Sequence, residues 1–150
     1  MKRHCLFFAI LLSAIYACNN TENASAPPAN VATDSSNFTQ VQWMDTTINF
    51  GTVTKGEKVH ITYKCKNVGD KPMFIYYVRP GCGCTVADYT KAAIPPGGMG
   101  EINAEYDSNH GMGQVNKSIT VHTNTTNATP TLKFYGIVTA PTADSTKKSS

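Results

Sequence analysis

Apolar and polar residues alternate with a period of two through most of residues 38–139, in short runs broken by turn formers at intervals of about ten. The run Glu57–Asn67 shows it most plainly. Val59, Ile61, Tyr63 and Cys65 fall on one side, and Lys58, His60, Thr62, Lys64 and Lys66 on the other. A strand patterned this way has one face in a core and the other in water. Further strands are predicted over Val41–Phe50, Met73–Arg79, Gly100–Asp107, Val115–Thr123 and Thr131–Thr139. Asn67 to Pro72, Asn109 to Gly113 and Asn124 to Pro130 supply turns between them. Ile94-Pro95-Pro96-Gly97-Gly98 is a further turn that no strand or helix interior tolerates. Helical periodicity is nearly absent. Six or seven short strands in about 100 residues predict an all-β fold, an immunoglobulin-like antiparallel β-sandwich of about seven strands. A small closed barrel is the alternative.

The two ends follow other rules. Lys2 and Arg3 precede an apolar run, Leu6–Ile15, far shorter than the roughly 20 residues of a spanning helix. It reads as a signal segment. Ile15-Tyr16-Ala17-Cys18 then resembles the bacterial lipobox, in which the chain is cut before a cysteine whose sulfur takes a diacylglycerol. Residues 1–17 are therefore read as a lipoprotein signal peptide and Cys18 as the lipidation site. Two or more acyl chains hold a protein stably on a membrane. Residues 18–37 hold little but Asn, Ala, Ser, Thr and Pro, too few apolar groups to offset ordering entropy. They read as a disordered tether with a root-mean-square span of roughly 25 Å. Residues 38–139 form one domain, and 140–150 a disordered tail. The expected location is the bacterial cell envelope, with the outer membrane preferred over the inner.

Charge narrows the function classes. The whole chain has a net charge of +3 and a pI near 8.6, but Lys2 and Arg3 leave with the signal. Lys plus Arg then falls from 13 to 11 against 10 acidic residues. No basic stripe remains of the kind nucleic-acid binding needs. Six Asn-x-Ser/Thr triplets begin at Asn19, Asn23, Asn37, Asn116, Asn124 and Asn127. Beside a lipobox they read as polar surface. Asp45-Thr46-Thr47 and Asp144-Ser145-Thr146 match a short bacterial O-glycosylation pattern.

The order of motifs along the domain resembles a known family. Asn49-Phe50-Gly51-Thr52-Val53 with Lys55-Gly56-Glu57 comes first, then Lys66-Asn67-Val68-Gly69. Val78-Arg79-Pro80-Gly81-Cys82-Gly83-Cys84-Thr85, Ile94-Pro95-Pro96-Gly97 and Thr123-Asn124-Thr125 follow. The set is similar to the bacterial family called "domain of unknown function 1573", often carried on envelope lipoproteins. That resemblance implies an immunoglobulin-like sandwich akin to domains of cilium and sperm-tail scaffold proteins, with no established catalysis. Cys65 departs from it, standing where a bulky apolar residue is usual.

Chemistry, if any, lies with the cysteines. Cys5 leaves with the signal and lipid consumes Cys18, so Cys65, Cys82 and Cys84 remain. Cys65 sits on the apolar face of its strand and reads as a small buried hydrophobe. In an extended strand, Cys82 and Cys84 would have Cα atoms roughly 6.5–7 Å apart and Cβ atoms on opposite faces, outside good disulfide geometry. A bridge would need a tight turn at Gly83, which positive φ permits, and its strained ring would be labile. Three readings stay open. The segment turns a corner between sheets; or Cys82 and Cys84 cycle as a labile disulfide; or they bind Cu(I) or Zn(II) with His110 and Met112. His60 and His122 are further candidate ligands, and both fall on water-facing positions of their strands. No nucleophile-base pair, paired carboxylates or phosphate loop can be seen, so the domain reads as non-catalytic and without a cofactor. Its sheet edges can take a partner's strand, and a protein or glycan of the envelope is the expected partner.

Overall fold

The alternation around Ile61 is realised in full. In the computed structural model, which describes residues 35–126 and 130–141, the strand Lys58–Asn67 buries every second residue and exposes the rest. The signal segment 1–17, Cys18, most of the 18–37 tether and most of the 140–150 tail lie outside the described residues.

Eight strands follow in chain order: β1 (Val41–Trp43), β2 (Thr47–Thr54), β3 (Lys58–Asn67), β4 (Ile75–Pro80), β5 (Thr85–Tyr89), β6 (Met99–Asp107), β7 (Gly113–Thr123) and β8 (Thr131–Thr139). They make two four-stranded sheets, ordered β1-β3-β6-β5 and β2-β8-β7-β4. The core lies between them. Tyr63, Ile102 and Tyr106 from the first sheet meet Ile119, Val121, Leu132 and Phe134 from the second, all fully buried. The Tyr63 hydroxyl crosses the core to donate to the Lys133 carbonyl at 2.6 Å. This is the expected immunoglobulin-like sandwich, with three differences in detail.

First, Val41–Phe50 is two strands, not one. Trp43 pairs with Cys65 in the first sheet; exposed Met44, Asp45 and Thr46 carry the chain across, and Thr47 enters the second sheet beside Lys133. Second, β2 runs parallel to β8, so the sandwich is not wholly antiparallel. The chain crosses sheets without reversing, and the open edge that it meets belongs to a strand running the same way. Third, β5 was not predicted. It has five residues, and only Thr85, Ala87 and Tyr89 turn inward, too short a pattern to read beside the Gly-Cys-Gly-Cys segment.

The Asn-Phe-Gly motif is a bulge in β2. Register shifts between Asn49 and Gly51; Gly51 takes φ 78°, and its N–H donates to Asn49 Oδ1 at 2.9 Å. Phe50 is thereby turned onto Tyr106 and Phe134, with ring centroids 6.0 and 6.3 Å away. Gly136 makes room for it, since a Cβ there would lie 2.3 Å from the Phe50 ring.

Two buried asparagines organise one end of the sandwich. Asn67 Nδ2 donates to the carbonyls of Lys71 (2.7 Å) and Ile94 (2.9 Å). Its Oδ1 accepts from Thr39 Oγ1 (2.9 Å) and the Gly69 N–H (3.1 Å). Asn124 Nδ2 donates to the carbonyls of Asn37 (2.8 Å) and Pro72 (3.0 Å), and its Oδ1 accepts from the Phe74 N–H (2.7 Å). A buried amide is tolerated when so fully bonded. Gly69 is needed for close approach: a Cβ there would stand 2.1 Å from Thr39 Oγ1 and 2.6 Å from the Gln40 nitrogen.

Asn67→Ala strands two carbonyls, a hydroxyl and an N–H, and should cost about 3 kcal/mol. That corresponds to a fall of about 15 °C in Tm for a domain of this size. Asn116→Ala, on the outside of β7, should stay within about 0.5 kcal/mol of the parent. Thermal melting followed by circular dichroism checks both, and equal Tm values for the two variants would contradict the role of Asn67.

Candidate functional site

Cys82 and Cys84 lie where the chain passes from the second sheet to the first. β4 ends at Pro80 opposite Ile119, and the Gly81 N–H continues the ladder to the Ser118 carbonyl (2.8 Å). β5 starts at Thr85 opposite Tyr106. Between them the chain turns: the Thr85 N–H donates to the Cys82 carbonyl at 3.4 Å, and the Asp107 N–H to the Cys84 carbonyl at 2.9 Å. The turn brings the two Cα atoms to 5.3 Å, and a disulfide joins Cys82 to Cys84. The expected corner between sheets is thus present, and so is the bridge. The means differ from the sequence reading: Gly83 is not among the positive-φ glycines, and a Cβ on it would meet nothing within 4 Å. Both sulfur-bearing residues are half-buried, Cys84 against the core. Beyond the corner, the Tyr89 hydroxyl donates to the Tyr76 carbonyl at 2.6 Å, a second tie between β4 and β5.

The other predicted ligands are placed as follows. The turn Ser108–His110 follows directly on Asp107, so the His110–Met112 loop is at the same end of the sandwich as Cys84. His110 Nδ1 stands 3.9 Å from Asp107 Oδ2, and Met112 is exposed. Gly111 passes so close over the core that a Cβ would come within 2.2 Å of the Tyr106 hydroxyl. Among the described residues, no three His, Cys, Asp or Glu side chains are gathered as a metal would need. Thiolate ligation by Cys82 and Cys84 would first require opening the bridge. His60 is solvent-exposed on β3; His122 is half-buried, its ring stacked on Tyr77 at 3.9 Å.

Cys65 is buried, as expected, and its thiol lies 3.6 Å from the Gly100 carbonyl. Burial pushes its pKa up to about 11 from an ordinary 9.0, which suppresses the nucleophilic thiolate.

Sequence reasoning missed a hollow on the outer face of β2, β8 and β7. It encloses about 440 Å³ and is lined by Asn49, Gly51, Thr52, Gln114, Tyr135, Gly136 and Ile137. The signal available was the alternation in β8, which turns Tyr135 and Ile137 outward.

Among solved structures, the chain is similar to a protein of unknown function from Porphyromonas gingivalis W83, at 18% identity and a TM-score of 0.61. That match covers 71% of this chain and 50% of that one, so the chain spans half its length. It is also similar to the ASH/PapD-like domain of human CEP192 (14% identity, TM-score 0.53, 71% of this chain and 89% of that one). The E. coli chaperone DraB is a third (10%, 0.51, 69% and 57%). At these identities the likeness is one of fold, and it defines the class as an immunoglobulin-like β-sandwich. Residues 41–138 match the family described as protein of unknown function (DUF1573), and the chain belongs to that family. No curated protein matches it.

Cys65 generates a pH prediction. Above pH 9 the unfolded chain releases the thiol proton while the folded chain keeps it, so unfolding gains favour until about pH 11. Stability should fall by about 2–3 kcal/mol over that window from Cys65. Tyr63, pushed up to about 12 by burial, adds to the decline. Denaturant midpoints measured across pH 8–11 should drop less steeply in Cys65→Ala; an unchanged slope would contradict the assignment.

Proposed function

We propose that the chain is a non-catalytic, lipid-anchored cell-envelope protein whose immunoglobulin-like domain binds or scaffolds an envelope partner. The observation that supports binding most is an open strand edge. β7 pairs with β8 from Gly113 to Thr120, but β4 covers its other side only from Ile119 to Thr123. Among the described residues, Gly113–Lys117 therefore has one side without ladder bonds, next to the disulfide corner. An extended segment of a partner can complete such an edge, with backbone bonds giving affinity and alternate side chains giving selectivity. Anchoring is supported by Ile15-Tyr16-Ala17-Cys18, and the non-catalytic reading by acidic residues that fall singly among strands and turns. The membrane is then one partner, through lipid on Cys18, and an envelope protein or glycan the other.

Crosslinking in cells followed by pull-down should recover one specific partner from the membrane fraction. Cys18→Ala should move the chain out of that fraction. Recovery of bulk envelope proteins alone, or a Cys18→Ala chain that stays on the membrane, would contradict the proposal.

A second reading is favoured by the bridge itself. A disulfide that closes a loop of only three residues constrains the unfolded chain little, about 1.5 kcal/mol, and a ring this small favours exchange. In this reading Cys82 and Cys84 cycle between dithiol and disulfide. Intact mass after alkylation, with and without millimolar glutathione, tests it. Two added alkyl groups on Cys82 and Cys84 after glutathione are expected; a bridge that resists would remove the reading.

A further inference from the structure

The two sheets differ in charge. On the first sheet each strand carboxylate meets a basic side chain, and only Lys66 lacks an ion-pair partner among the described residues. Lys58 reaches Asp107 (3.2 Å) and Glu105 (3.3 Å), Lys64 reaches Glu101 (3.6 Å), and Asp88 is met by Lys91 (2.8 Å). The second sheet has no acidic residue in any of its four strands, only Arg79, Lys117 and Lys133. None of these three cations has an ion-pair partner among the described residues. Lys133, Asn116 and Ser118 border a hollow of about 360 Å³ on the outer face; Lys117 also lines it, but stands in register with inward-facing Phe134 and is not part of that face.

Cross-strand register arranges the rest of this face in rows. Asn49, Tyr135 and Asn116 stand side by side on β2, β8 and β7. The next row is Thr52, Ile137 and Gln114, and the row on the other side is Thr47, Lys133 and Ser118. Tyr135 is 38% exposed and Ile137 48%, a flat apolar strip within polar flanks. Gly51, where a Cβ would meet nothing within 4 Å, leaves part of the neighbouring hollow without a side chain. Asn116, Gln114 and the Tyr135 hydroxyl make no side-chain hydrogen bond within the described residues. They are free to bond a ligand.

We infer that this face binds an acidic polysaccharide. A sugar ring presents an apolar face rimmed by hydroxyls, which suits an aromatic ring flanked by amides. Lys133 lies two residues from Tyr135 on the same strand, roughly 6.8 Å along it, and faces a carboxylate on the adjoining sugar. Lys133 has no ion-pair partner among the described residues, although Asp45 lies on the neighbouring link into β2, and a polyanion compensates such a cation. This inference rests on reading the domain as a binding module, and it names the ligand class.

Affinity electrophoresis of the full chain in detergent micelles tests it, with polygalacturonate as probe and its fully methyl-esterified form as the neutral control. Polygalacturonate should retard the chain and the ester should not. Tyr135→Ala and Lys133→Ala should each weaken binding about tenfold, with Asn116→Ala in the same direction. Lys133 and Asn116 are surface positions, so their variants keep the test valid even where Tyr135→Ala fails to fold. Equal retardation by the ester, or binding of dextran sulfate and polygalacturonate alike with no loss in Tyr135→Ala, would overturn the inference. So would binding confined to vesicles containing phosphatidylglycerol. No retardation, with a specific partner still crosslinked in cells, would sink the ligand class and leave the binding module standing.

Discussion

The sandwich depends on burying a few polar side chains that have every bond satisfied. Asn67 and Asn124 sit where the loops at one end converge, and their amides serve backbone groups that no strand could reach. The opposite end uses Ser108 in the same way. Its hydroxyl donates to the Thr54 carbonyl (3.1 Å) and accepts from the Gly56 N–H (2.9 Å), while its own N–H donates to the Glu57 carbonyl (3.1 Å). Apolar burial holds the sheets together, but it is not directional. The loops owe their shape to these bonds.

That division explains what the family motifs report. Asn-Phe-Gly is the β2 bulge, Lys-Gly-Glu the turn latched by Ser108, Asn-Val-Gly and Thr-Asn-Thr the asparagine posts. Each identifies the fold, and none identifies a ligand. The Gly-Cys-Gly-Cys segment belongs with them in part, since it carries the chain from one sheet to the other. Only its disulfide adds chemistry.

Much of this was legible in the sequence. β3 and β6 are long and alternate cleanly, so their inward and outward residues could be read from period alone, and β7 and β8 were placed by their turns and length. β4 was placed within two residues at its start. What escaped had little local signal. The break at Met44–Thr46 has one acidic residue and no glycine or proline, and β5 has only five residues. Parallel pairing of β2 with β8 depends on which edge is open, a property of the assembled sheets. The turn at Cys82–Thr85 forms without the positive φ expected at Gly83. The outer face of the second sheet was invisible for another reason: its rows unite residues 49, 116 and 135, and register sets them side by side.

The proposed binding role rests on what the fold leaves unused. Among the described residues, the first sheet pairs most of its charges, whereas the second has cations without an ion-pair partner and an open strand edge beside the corner. The dependence of this arrangement on the asparagine posts is tested most directly by native-state amide hydrogen exchange. The Gly69 and Phe74 amides, which donate to the Asn67 and Asn124 side chains, should exchange only through global unfolding, as slowly as amides of the buried β3 strand. Exchange of these two at the rate of exposed loop amides would contradict the account.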